Sequence, residues 1–227
     1  MRLPALLRAG HPGPVVAVTL VGAGLAAASG RSGWQIVSVF VTVALGQFSV
    51  AWSNDAIDAS RDADAGRGDK PVAAGELSRG LAFGLAVAAA AIATGTALFV
   101  GVQGIYHIIA VVVAWLYNHP LKNTMFSVLP YAVSFGLLVA YADAEPRPGM
   151  IAAGALLGAA AHFANVLPDL EDDAKTGVRG LPHRLGAFGS QVAAAVLLLG
   201  SGVLAGYRID NFVGPVIIAV SVAFAIT

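Results

Sequence analysis

Asn54 to Gly75 reads NDAIDASRDADAGRGDKPVAAG, with five aspartates in its first sixteen residues. The chain around it is 57% hydrophobic and only 11% charged, so carboxylates this dense need a physical reason. The stretch has a partner at an offset of 111 residues: Asn54 meets Asn165, Asp58 meets Asp169, Asp62 meets Asp173 and Ala63 meets Ala174. Gly66, Pro71 and Gly75 then meet Gly177, Pro182 and Gly186, making seven identities in 22 positions. Each copy carries the core N-x-x-x-D-x-x-x-D. Residues four apart on a helix stack on one face. Asn54, Asp58 and Asp62 therefore form one polar column and Asn165, Asp169 and Asp173 another, each lining one wall of a shared cavity. Two carboxylates at that spacing repel by about 3 kcal/mol at an effective dielectric of about 20, unless a cation lies between them.

The host is a membrane protein by composition. Mean hydropathy is +0.77, and a bilayer span needs about 20 mostly apolar residues. Eight apolar runs fit, at roughly 13–29, 33–53, 79–100, 104–118, 124–141, 149–166, 187–206 and 212–227. The fold class read from this is an all-α polytopic transmembrane bundle, with the second run able to continue as helix into the acidic stretch. Arg2, Arg8 and the apolar run ending AAASG look like a signal peptide, but seven further runs favour a retained first helix. The chain ends inside an apolar run, which leaves room for a further helix. Net charge is zero and there is no cysteine, which excludes an electrostatic case for nucleic acid and excludes disulfides.

Counting Lys and Arg in the short loops sets the orientation. With a cytoplasmic N-terminus, ten of the thirteen basic residues lie inside, and only Arg31, Arg147 and Arg208 lie outside. Both acidic runs then face the cytoplasm. Each sits at the cytoplasmic end of an even-numbered run, the second and the sixth, so the chain divides into two four-helix halves of one domain, about 13–122 and 124–227.

Oxygen-only ligands select a hard cation. Mg²⁺ takes one or two carboxylates and completes its shell with water and substrate phosphate. Two acidic corners predict two ions with a diphosphate between them. Asn54, Asp58 and Asp62 hold the first ion, and Asp169 and Asp173 the second, with Asn165 beside it. Asp55 and Asp172 lie about 100° off their columns and orient ligands from behind. Basic residues follow each column: Arg67 and Lys70 the first, Lys175, Arg179 and Arg184 the second, with Lys122 between. An anion held by metal on one side and Lys or Arg on the other is poised to leave from carbon. The loops GRGDKPVAAG and GVRGLPHRLG read as lids. Trp52, Phe48, Phe135, Tyr131, Phe163 and His162 read as packing. The pairs Gly80/Gly84, Gly154/Gly158 and Gly202/Gly206 predict close helix contacts.

At these residues the sequence resembles the UbiA superfamily of intramembrane prenyltransferases. Asn54-Asp55-x-x-Asp58-x-x-x-Asp62 matches its first motif in full, and Asp169-x-x-x-Asp173 matches its second. Tyr117-Asn-His-Pro-Leu-Lys122 is similar to its Y-x-x-x-K element, with the lysine one residue late. Members usually carry nine helices, against the eight runs counted here. The resemblance implies helices around a central cavity open to the cytoplasmic side. It further implies Mg²⁺ on a prenyl diphosphate, a lipid tail in a hydrophobic tunnel, and an allylic cation attacked by a small acceptor. Lys122, Lys70, Arg67, Arg179 and Asn165 are then the diphosphate-binding set, and Lys122, Tyr117 and Asp62 the catalytic set. Acceptor identity, chain length and oligomeric state stay open. A transporter with a duplicated acidic site is the alternative. It calls for polar residues at the midplane and outer half, where this sequence is apolar. A non-catalytic scaffold with incidental acidic loops is the third reading.

Overall fold

The computed structural model describes residues 3–206; the run 212–227, Arg2, Arg208 and Asp210 lie outside the described residues. Every regular element within that range is helical: α1 (Leu3–Ala9), α2 (Pro12–Ala28), α3 (Gly33–Asp64), α4 (Arg79–Ala97), α5 (Gly104–Asn118), α6 (Val128–Ala142), α7 (Pro148–Val166), α8 (Leu170–Lys175) and α9 (Leu181–Gly206). Local signals set the starts. Pro12 and Pro148 open α2 and α7, where a missing N–H costs nothing. The Ser32 N–H donates to Gln35 Oε1 at 3.1 Å, and Ser78 Oγ accepts from the Leu81 N–H at 3.2 Å, each satisfying an orphan donor.

Two helix ends carry the repeat into the backbone. Gly66 and Gly177 adopt φ of 71° and 85°, a left-handed conformation that glycine enters without a Cβ clash. The following N–H groups close the same device: Arg67 donates to the Asp62 carbonyl at 2.9 Å and Val178 to the Asp173 carbonyl at 2.9 Å. This is the Schellman ending, and it puts a motif carboxylate in the last turn both times. Gly75 and Gly186 are also matched at φ 74° and 70°, the second breaking α9 internally.

Helix α3 packs between α2 and α4, and α7 between α6 and α9, while α5 joins α6 to α3. The α6–α7 contact is close because Gly158 has no side chain: a Cβ there would lie 2.3 Å from the Tyr131 carbonyl oxygen and 2.6 Å from Phe135 Cβ. Gly154 is similarly tight, but Gly80, Gly84, Gly202 and Gly206 meet nothing within 4 Å. Only one of the three predicted glycine pairs is therefore a contact among the described residues.

Large apolar side chains cover the outside, among them Phe188, Leu199 and Val196 at 79, 71 and 62% exposure. A surface like that is stable only against lipid. Among the described residues four helical spans are long and apolar enough to cross a bilayer, and the bent pair α1–α2, which turns by 65°, is a fifth if it counts as one span. Helices α5 and α6, read from the sequence as spans, have 15 residues each. At 1.5 Å per residue that is about 22 Å, short of a hydrocarbon core of about 30 Å.

The end opposite the acidic loops is closed by Arg31. Its guanidinium donates to the carbonyls of Ala142, Tyr141 and Asp143 at 2.8, 3.0 and 3.0 Å and also to Gln103. It thereby caps the C-terminus of α6, where helical carbonyls lack partners. The Arg31→Met variant, which keeps the aliphatic stem, is expected to lose about 2–3 kcal/mol by stranding buried acceptors. A fall in the thermal midpoint in detergent is the readout.

Candidate active site

A cavity of about 280 Å³ opens among α2, α3, α5, α6, α7 and the α7–α9 connection. Its first wall is α3, which runs unbroken for 32 residues. Helical continuity keeps Asn54, Asp58 and Asp62 on one face, and all three line the cavity. Asp58 and Asp62 are each 6% exposed. The facing wall carries Asn165, Asp169 and Asp173, so the two motifs meet across one space as the sequence predicts.

The second column differs from the first in shape. Helix α7 ends at Val166, Leu167–Asp169 form a 3-10 turn, and α8 restarts at Leu170. Pro168 lies inside the N-x-x-x-D-x-x-x-D run, and its ring and missing N–H oppose a continuous helix. The consequence is exposure: the Asp169 and Asp173 side chains are 48% and 23% accessible, against 7% for Asp58. Asn165 donates to the Tyr131 hydroxyl at 3.3 Å.

Basic groups stand between the walls. Lys122 is 8% exposed; its Nζ donates to both Asp58 oxygens and, at 3.5 Å, to Asn54 Oδ1. Burial pushes the Lys122 ammonium below its ordinary pKa, against the raising influence of Asp58. Arg61 donates to Asp58 Oδ2 at 2.8 Å and Asp62 Oδ1 at 3.4 Å. Arg67 forms a fork with Asp69, both contacts at 3.0 Å, and lies 3.5 Å from Asp169 Oδ1. The hydrogen bond to Asp69 raises the Arg67 pKa. Arg67 thus reaches from the first loop to the second motif. Lys70 also lines the cavity.

Tyr117 and Lys122 share the cavity despite the extra residue between them, because the chain folds into a 3-10 turn at Leu121–Asn123. The Tyr117 ring meets Tyr131 edge-on at 5.1 Å, and His162 packs behind both, with ring centroids 5.6 and 5.0 Å away. His162 is the buried packing histidine expected, held by Ser127 Oγ at 3.0 Å. Phe135 and Tyr131 line the cavity, whereas Trp52 donates to the Leu6 carbonyl at 3.1 Å and stacks on Phe48.

Arg179 departs from expectation. It is exposed and absent from the cavity wall, which takes Val178 instead. Sequence reasoning also passed over Arg61 and His11, both of which line the cavity. The signal for Arg61 was its i+3 spacing from Asp58; His11 had none. His183, read as a loop residue, lies in α9 with Nε2 3.8 Å from Asp173 Oδ2.

Away from the aspartates the lining turns largely apolar with Val15, Val50 and Phe135, Gln47 and Ser134 being the polar exceptions. The site is thus a charged mouth over a greasy floor. Such a shape takes an amphipathic ligand with an anionic head, its charge met by Lys and Arg or by a cation on the carboxylates.

Solved structures share this architecture. A UbiA homolog from Archaeoglobus fulgidus, bound to GPP and Mg²⁺, superposes with a TM-score of 0.79 at 20% identity, covering 98% of this chain and 86% of that one. The apo UbiA homolog from Aeropyrum pernix K1 gives 0.68 at 18% identity, covering 100% and 86%. A structure described for the biosynthesis of digeranylgeranylglyceryl phosphate synthase in membranes gives 0.68 at 16%, covering 99% and 85%. No curated protein matches the chain. At such identities the likeness shows the fold. The sequence profile of the UbiA prenyltransferase family, however, matches residues 15–227, and the chain belongs to that family.

Proposed function

We propose that the protein is an Mg²⁺-dependent intramembrane prenyltransferase. It moves an isoprenyl chain from a prenyl diphosphate to a small acceptor, aromatic or other, and releases diphosphate. One observation carries this reading: Asn54, Asp58 and Asp62 face Asp169 and Asp173 across a cavity whose mouth holds Lys122, Lys70 and Arg67 and whose floor is apolar.

The residues fit the metal. Every candidate donor is a side-chain oxygen, and among the described residues no three His, Asp or Glu groups converge closely enough to hold an ion alone. Oxygen donors of this kind suit Mg²⁺, which draws the rest of its shell from water and phosphate. In this reading Asn54, Asp58 and Asp62 hold one ion and Asp169 and Asp173 a second. When bound, the ions neutralise the diphosphate and make it a better leaving group. Lys122, Lys70, Arg67 and Asn165 bind the diphosphate; Arg179 drops out because it does not line the cavity. The allylic C–O bond breaks with its electron pair leaving on diphosphate. The acceptor supplies the pair for the new bond and gives up a proton. Tyr117 turns its ring toward the cation, and the apolar floor keeps water away. The Lys and Arg count puts this mouth on the cytoplasmic side, with the N-terminus there as well.

The test is reconstitution in proteoliposomes with Mg²⁺, labelled prenyl diphosphates of graded length and a panel of acceptors. Diphosphate release that needs both Mg²⁺ and a matched acceptor is expected. Movement of a labelled anion across the bilayer without chemical conversion overturns the reading in favour of a transporter.

A further inference from the structure

Asp55 is the first acid of the first motif, yet it does not line the cavity. It is 1% exposed, turned away from the Asp58 column. Its Oδ1 accepts from Lys70 Nζ at 3.1 Å and lies 3.3 Å from His11 Nε2, and Lys70 Nζ is itself 3.1 Å from that ring nitrogen. Its Oδ2 is buried with no hydrogen-bond partner. One carboxylate therefore ties together three segments distant in the chain: the α1–α2 bend, α3 and the loop after α3.

The bend is strained at the point of attachment. His11 has φ 48° and ψ 67°, the one non-glycine residue at positive φ among those described. Such a conformation persists only when surrounding contacts enforce it. Asp55 and Lys70 supply those contacts.

The tie also stands in a partition. A second, more open space beside the cavity is lined by Arg8, Pro12 and Asp69, and it shares His11, Pro14, Arg67, Lys70 and Asp169 with the cavity. Arg8 is engaged with Glu76 at 2.5 Å and Arg67 with Asp69. Among the described residues the Lys70 and His11 side chains are held only by Asp55 and by each other. They are the part of the partition free to swing if that hold is released.

We infer that Asp55 is the positioning residue of a gate. Latched to it, Lys70 and His11 separate the cavity from the outer opening; released, they join the two spaces and give water-soluble molecules a path in and out. The inference goes beyond the proposed function and does not depend on it, since access can be read without any turnover.

The chain has no cysteine, so an introduced thiol is unique. The Ala51→Cys variant places one on the cavity wall, and its labelling by a charged, membrane-impermeant methanethiosulfonate reports access. In that background Lys70→Met and His11→Ala are each expected to raise the labelling rate about tenfold, the effect of a tenfold shift in the open population. Asp55→Ala should match them. Asp55→Asn, whose amide oxygen still accepts from Lys70, should stay within about threefold of the parent. The exposed Ser60→Cys position is the control and should not change. Should Asp55→Ala fail to fold, Lys70→Met and His11→Ala still decide, since neither leaves a large buried gap. An unchanged rate at Ala51→Cys in both overturns the gate, and so does an equal rise at Ser60→Cys, which would mean general loosening.

Discussion

The Asp58→Ala enzyme is expected to lose turnover of a prenyl diphosphate by on the order of 10³-fold, the scale of removing one group that meets charge developing in a transition state. Asp58 binds Lys122 and Arg61 at once and lines the cavity together with Asp169, whereas Asp55 is turned to Lys70 and His11. Removing Asp58 also strands two cations in a buried place, so some stability goes with the activity, about 3 kcal/mol. Asp58→Asn separates the two effects. It keeps the shape and one hydrogen-bond acceptor but loses the charge that Lys122 and Arg61 share, so the thermal midpoint should fall less than in Asp58→Ala while turnover falls almost as far. Asp58→Asn turning over at the parental rate would remove Asp58 from the machinery altogether.

Lys122→Met should cut kcat by about 10²-fold and leave the KM of the diphosphate donor within about threefold, because the ammonium is needed most when charge collects on the leaving oxygens. Lys122 is buried against Asp58, and the cost of holding it there is visible in its lowered pKa. Lys122→Arg should restore part of kcat, since charge is kept while the point donor becomes a planar fork. If instead KM rises and kcat is untouched, Lys122 serves ground-state binding alone.

The parts of this molecule that follow from local chemistry were readable in advance. Helix α3 continues past the apolar run to Asp64, as the stacked N-x-x-x-D-x-x-x-D spacing requires, and α5 occupies the predicted range 104–118. The meeting of Asp58 and Asp169 across one space was legible because a repeat implied equivalent corners. What escaped was set by tertiary geometry or by a signal passed over. Pro168 announces the break in the second motif, but the matched aspartates drew the eye to helical spacing. The exposure of Arg179 is set by the path of the folded loop, which no spacing rule reveals. Asp55 lay one residue from a ligand column, and only the folded loop brings Lys70 back to it across fifteen positions of chain. Glycine pairs at four-residue spacing mark a contact only where a partner helix arrives, as at Gly158 and not at Gly80.

The matched Schellman turns have an electrostatic meaning as well. Asp62 occupies the final turn of α3, where unpaired carbonyls already make the helix end negative. Arg61 in the same turn settles that pole in part, as Lys175 does in the six-residue α8, where Asp173 stands as much in the first turn as in the last. On the long wall the Asp62 carboxylate still adds charge of the pole's own sign. Folding comfort and cation affinity therefore pull that position in contrary directions, and the residue found there answers to the second.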